Sequence, residues 1–169
     1  IHGGTTMDAP LSFHLGVALA ILAAVTPNKL GFPWPPSWLY SHFWTLLIGP
    51  PADGKSSTID VGLSLLREAE PDVQHGATPG SPEALGEMMQ KKPRRLIGYK
   101  EFSTFLSSTL RGQAAPLRNH YSELYDATPT VMKFKGRDVT ITEPRMSLLA
   151  GVTPAHLADY STPSDWEGG

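Results

Sequence analysis

"FWTLLIGPPADGKSS", residues 43 to 57, decides the fold. Residues 43–48 are apolar without alternation, which reads as a short strand buried on both faces. Gly49, Gly54, Lys55 and Ser56 then match G-x-x-x-x-G-K-[ST]. From Ser56 to Glu68, Ile59, Gly62, Leu63 and Leu66 recur at i, i+3, i+4 and i+7, the stripe of a helix that packs on a sheet. The motif therefore stands between a buried strand and an amphipathic helix, the setting its chemistry requires. Glycines let the backbone curl so that N–H groups face phosphate oxygens, and the helix N-terminus adds partial positive charge. Lys55 would reach the β and γ phosphates while Ser56 holds magnesium. The predicted cradle is Gly49, Pro50, Pro51, Ala52, Asp53, Gly54, Lys55, Ser56 and Ser57, with ATP and Mg2+ as cofactors. The competing reading is a proline-rich turn leading into a helix capped by Ser56 or Ser57, but such a turn does not require a lysine at 55. Asp53 brings a carboxylate near a triphosphate, so it is expected to point outward.

Hydrolysis needs more than a cradle. P-loop ATPases usually add an acidic pair at the end of another buried strand, and "RRLIGYKEF" (94–102) offers one, with Glu101 as the water-activating carboxylate. Lys100 stands where the magnesium-side aspartate is expected. Either Ser56 and waters hold the metal alone or Glu101 takes a metal role; in a third reading Glu101 merely starts the next helix, where a carboxylate suits the dipole. Thr153, at the end of the apolar run "RMSLLAGV" (145–152), is placed either to sense a γ-phosphate or to cap the helix that begins at Pro154.

Working outward, "TVMKFKGRDVTI" (130–141) alternates around Gly136 and reads as a hairpin inserted before the last core strand. Its tip gathers Lys133, Lys135 and Arg137, which would contact nucleic-acid phosphates or simply form a solvated edge. "KKPRR" (91–95) reads as a solvated basic loop, and His75, His120 and His156 are too dispersed to suggest a metal site. "PDVQHGATPGSP" (71–82) is a weak strand and a turn; Ser81 and Pro82 start a helix. Phe102, Phe105 and Leu106 share one helical face, and a further helix near Pro116 turns Leu117, Leu124 and Tyr125 inward. Strand alternates with helix throughout, the grammar of a mostly parallel α/β sheet.

Before residue 43 lie "LSFHLGVALAILAAV" (11–25) and "GFPWPPSW" (31–38). The first is shorter than the roughly 20 residues of a membrane span and reads as a buried helix capped by Asp8, with Pro10 in its first turn. The second, with three prolines and two tryptophans, reads as a stiff connector without regular structure, pinned by its aromatics. The expected division is a helix and connector over 1–42 packed on an ATPase core over 43–169, with further sequence expected past Gly169.

The 169 residues carry 14 basic and 16 acidic side chains, so no overall field favours a polyanion and any such contact must be local. With no cysteine, disulfides, thiolate metal sites and a cysteine nucleophile are excluded, which fits a cytoplasmic protein.

"APLSFHLGVALAILAAV", "WTLLIGPPADGKSS", "SPEALGEMM", "LIGYKEFSTFL", "LYDATP", "EPRMSLLAGVTPAHL" and "DWEGG" follow one another in an order that resembles the P-loop ATPase domain of phage and prophage primase-helicase-like proteins. The resemblance implies a RecA-like core that binds ATP and magnesium in a ring-shaped homo-oligomer acting on single-stranded or forked DNA, away from membranes. It also implies that Lys55, Glu101 and Thr153 are the catalytic positions, with Ser56 and Glu101 at the metal, and that an arginine finger lies beyond Gly169. The strand ending at Val152 should then lie between the 43–48 strand and the strand ending near Tyr99. Two other classes remain: a nucleotide-gated assembly module without turnover, which Lys100 favours, and a small-molecule kinase, for which no arginine-rich lid is evident between Lys91 and Thr153.

Overall fold

The apolar runs of the sequence become a parallel sheet whose two faces are covered by different helices. The computed structural model describes residues 9–26, 30–35, 37–75, 78–110 and 115–161. Helix α1 (Leu11–Val25) is followed by strands β1 (Gly31–Trp34), β2 (Ser37–Tyr40) and β3 (Trp44–Ile48). Next come α2 (Lys55–Ala69), β4 (Gln74–His75), α3 (Pro82–Lys91), β5 (Arg94–Tyr99), α4 (Phe102–Thr109) and α5 (Leu117–Tyr125). The hairpin β6 (Thr130–Phe134) and β7 (Arg137–Ile141) precedes β8 (Arg145–Val152) and α6 (Pro154–Tyr160).

The main sheet has the order β3-β8-β5-β4, with all neighbours parallel and β4 only two residues long. The strand ending at Val152 lies between β3 and β5, as the resemblance implied. Side chains alternate across the pleat, so each strand feeds two cores. Leu47, Leu96 and Leu149 meet Phe13, Val17 and Ala20 of α1 and Ile59, Leu63 and Leu66 of α2. On the other face, Ile97, Tyr99, Leu148 and Ala150 meet Leu85 and Met89 of α3, Phe105 of α4, Leu117, Tyr121 and Leu124 of α5, and Met132, Val139 and Ile141 of the hairpin. The result is a three-layer α/β arrangement.

Several sequence expectations are corrected. Strand β3 is an edge strand rather than one buried on both faces: Leu47 is buried, but Trp44, Thr45 and Leu46 are half-buried and Ile48 is exposed. Helix α1 is apolar all round yet covered on one side only, leaving Leu11, Leu15, Leu19 and Leu22 exposed. Its N-cap is Pro10, without a side-chain bond, and Asp8 lies outside the described residues. The 31–38 stretch is not an irregular connector but the antiparallel pair β1-β2, in which Pro33 stands opposite Trp38. A two-stranded ribbon consists only of edges, which tolerate a proline. Its aromatics are not pinned down: Phe32, Trp34 and Trp38 are 63%, 61% and 54% exposed.

The reading of "KKPRR" as a solvated loop fails at its arginines. Arg95 is 5% exposed and donates to the Met88 carbonyl at 3.0 Å, while Arg94 is half-buried, 3.7 Å from Glu70 and 3.4 Å from the Val25 carbonyl. Their alkyl stems complete β5 while the heads find acceptors. In α5 the inward aromatic is Tyr121, and Tyr125 is exposed. No helix among the described residues is long and apolar enough to cross a membrane.

Candidate nucleotide-binding site

Strands β3, β8 and β5 end side by side, and the loop 49–54 leaves the first of them to enter α2. Gly49 N–H donates to the Val152 carbonyl at 3.3 Å, so the loop is tied to the end of β8 at its first residue. Two residues in the loop adopt left-handed conformations, Ala52 at φ 64 and Gly54 at φ 76. In an anion nest, left-handed residues alternate with right-handed ones so that successive N–H groups turn toward one side. A non-glycine residue in this region costs about 1–2 kcal/mol, and such strain gathers at functional sites. Gly54 is confined as well, because a Cβ there would lie 2.7 Å from the Ala9 side chain.

Lys55 opens the fifteen-residue α2 and folds back under the loop. It is 8% exposed, and its Nζ donates to the Gly49 carbonyl at 2.7 Å and the Pro50 carbonyl at 2.5 Å. An ammonium has three donors, so two anchor the cation at the loop base and one is left for a ligand. Thr58, which the sequence reading passed over, is buried and donates its hydroxyl to the Gly54 carbonyl at 2.9 Å, fixing the turn into α2. Ser56 is half-buried and Ser57 exposed. Asp53 does not project outward as expected: it is half-buried, and its Oδ2 is the atom nearest to where a Gly49 Cβ would sit, at 2.6 Å.

Gly151, also not foreseen, is where the three strand ends converge. A Cβ added there would lie 3.0 Å from the Lys100 carbonyl, 3.4 Å from Ile59 and 3.5 Å from the Lys55 Cβ. The backbone that carries Lys100 and Glu101 is thereby brought against the first turn of α2. Glu101 is exposed and occupies the N-cap position of α4 without a side-chain capping bond. Thr153 caps α6, accepting from the His156 N–H at 3.3 Å. Lys100 reaches across to α2, where its ammonium lies 2.8 Å from Asp60 Oδ2. Asp60 follows Ser56 by four residues and so shares its helix face.

Among the described residues no group of three or more acidic, histidine or cysteine side chains could hold a metal ion. The acid on the Ser56 face, Asp60, is already engaged by an ammonium. The side chain of His75 lies outside what is described, while His120 pairs with Glu123 at 3.0 Å.

The basic hairpin tip is not brought to the loop. It packs over α3 and α5, with Phe134 against Gly86 and Arg137 paired with Glu87. That partner holds the Glu87 carboxyl below its ordinary range, chiefly through the hydrogen bond. Lys133 and Lys135 stay exposed. A cavity of about 500 Å³, lined by Trp44, Phe105, Tyr121, Leu148, Leu157 and Tyr160 among others, lies on the α4–α6 side of the sheet and includes none of residues 49–57. Comparison with protein-family models, with curated proteins and with solved structures finds no match.

Proposed function

We propose that the chain is a nucleotide-binding P-loop module of RecA-like kind, taking the phosphates of ATP in the loop 49–57 and serving a DNA motor of the helicase or primase-helicase type. The observation that carries the nucleotide part is the loop itself. Left-handed Ala52 and Gly54 suit such a nest in front of a long helix, above a buried lysine anchored by two loop carbonyls. A Pro/Gly turn serving only as a connector has no use for a buried cation, whose desolvation must be offset. The ordered strand ends support a ligand at the carboxyl edge of the sheet, where open α/β folds bind them.

Turnover is assigned to Glu101, two residues past the end of β5 and next to Lys100, whose carbonyl packs against Gly151, with Thr153 as the γ-phosphate contact in addition to its capping bond. The DNA part rests on the ordered resemblance and on Lys133 and Lys135; ring assembly rests on the resemblance alone. A second reading, a nucleotide-gated assembly module without turnover, is favoured by Lys100 and by the exposed leucines of α1.

ATP titration of the chain and of its Lys55→Ala variant tests the common core of both readings. Affinity is expected to fall at least tenfold on losing the anchored cation. Equal affinity removes the cradle. DNA-stimulated phosphate release then separates motor from module, and its loss in Glu101→Gln with affinity retained assigns the base.

A further inference from the structure

We propose that this cradle takes its triphosphate without a divalent cation, Lys100 supplying beside Ser56 the positive charge that a metal would otherwise bring; this rests on the nucleotide reading above. Ser56 is the only residue of the loop that the motif assigns to magnesium. Magnesium in nucleotide sites is held through one or two carboxylates together with substrate phosphates and waters. Here the carboxylate on the Ser56 face is Asp60, and the Lys100 ammonium lies 2.8 Å from it. A dication placed there would stand next to an ammonium of like charge.

The backbone places Lys100 well for the alternative. Its carbonyl lies 3.0 Å from a Cβ position on Gly151 that is itself 3.5 Å from the Lys55 Cβ, so the two lysines start from adjacent points. From there the Lys100 ammonium reaches α2 at Asp60, four residues after Ser56 and so one helical turn further along the helix. Both partners are exposed, so the ion pair is weak and easily exchanged for a stronger one. A triphosphate presents several negative charges to an ammonium that needs only to rotate away from Asp60. Asp60 thus serves as the resting counterion of a lysine whose working partner is phosphate. Bound in this way, the nucleotide would be flanked by Lys55 at the base of the loop and Lys100 at its side.

The test is equilibrium binding of a non-hydrolysable ATP analogue to the full chain, in excess EDTA and in excess Mg2+. Affinities in the two buffers should agree within about threefold, and Lys100→Asp should bind at least tenfold more weakly in EDTA, with Mg2+ restoring most of the loss. Asp60→Asn, which releases Lys100, should keep or improve the EDTA affinity. Wild-type binding tenfold or more tighter with Mg2+, or a Lys100→Asp variant with unchanged EDTA affinity, overturns the inference. No binding in either buffer overturns the cradle reading beneath it.

Discussion

Ala52 shows how much local strain the loop holds. An alanine at φ 64 is disfavoured relative to glycine, whereas glycine elsewhere usually costs stability through its larger unfolded-state entropy. Ala52→Gly should therefore be neutral or stabilising by up to about 1 kcal/mol, read as a urea midpoint at unchanged slope. A loss of about 1 kcal/mol, ordinary for such a change in regular structure, would show that the left-handed conformation is not held. A second residue-level feature is the buried contact between the Tyr99 and Tyr121 hydroxyls at 2.8 Å. Burial pushes the Tyr99 phenol up to about 12 and raises that of Tyr121 as well. Both groups are neutral in the fold, and the unfolded chain ionises first, near 10. The Tyr99 contribution is complete below about pH 10 and is lost as pH rises from there through about 12, and that of Tyr121 is lost over the same rise and above it. A stability profile across that window should decline, and the double variant Tyr99→Phe, Tyr121→Phe should decline less.

Among the elements, α1 and α2 cross through Gly62. Alanine in the middle of a helix normally gains up to about 1 kcal/mol over glycine. At Gly62 a Cβ would lie 2.3 Å from Val17 Cγ1, so the overpacking penalty of about 1–3 kcal/mol should win. Gly62→Ala is expected to lower Tm by several degrees, about 2–4 °C per kcal/mol for a chain of this size. The same packing explains what the sequence disclosed. Helix α2 was legible because Ile59, Gly62, Leu63 and Leu66 keep a helical period, and all four are buried. Strands β5 and β8 were legible from their apolar stretches, 96–99 and 148–152, while the arginines that open β5 were not. The ribbon β1-β2 was not, because prolines veto a strand only where the ladder needs their N–H, and a two-stranded ribbon has free sides. Asp60 and Gly151 were missed for another reason: their role comes from approaches between elements, and no spacing within one segment announces that Lys100 will reach α2. Only the four-residue step from Ser56 to Asp60 was open to view.

Over the whole molecule, the two basic candidates separate. Arg137 is paired with Glu87, and Lys133 and Lys135 are exposed beside it at the hairpin tip. If single-stranded DNA binds there, replacing both lysines with alanine should reduce the salt slope of binding by about 1.4, at roughly 0.7 per phosphate contact. Equal slopes for the double variant and the parent chain would make the tip a solvated edge. The position of β3 at the rim of the sheet has a consequence of its own. Leu148 N–H bonds the Phe43 carbonyl and Gly49 N–H bonds the Val152 carbonyl, so odd-numbered backbone groups of β3 face β8 and those of Trp44, Leu46 and Ile48 face away. Deuterium should thus enter β3 in alternation, quickly at the amides of 44, 46 and 48 and slowly at 45, 47 and 49. The segment from which the loop 49–54 hangs is stitched along one side, so β8, ending at Val152, governs how firmly the loop is held. Uniformly slow uptake along β3 in a larger assembly would reveal that another strand had completed the seam.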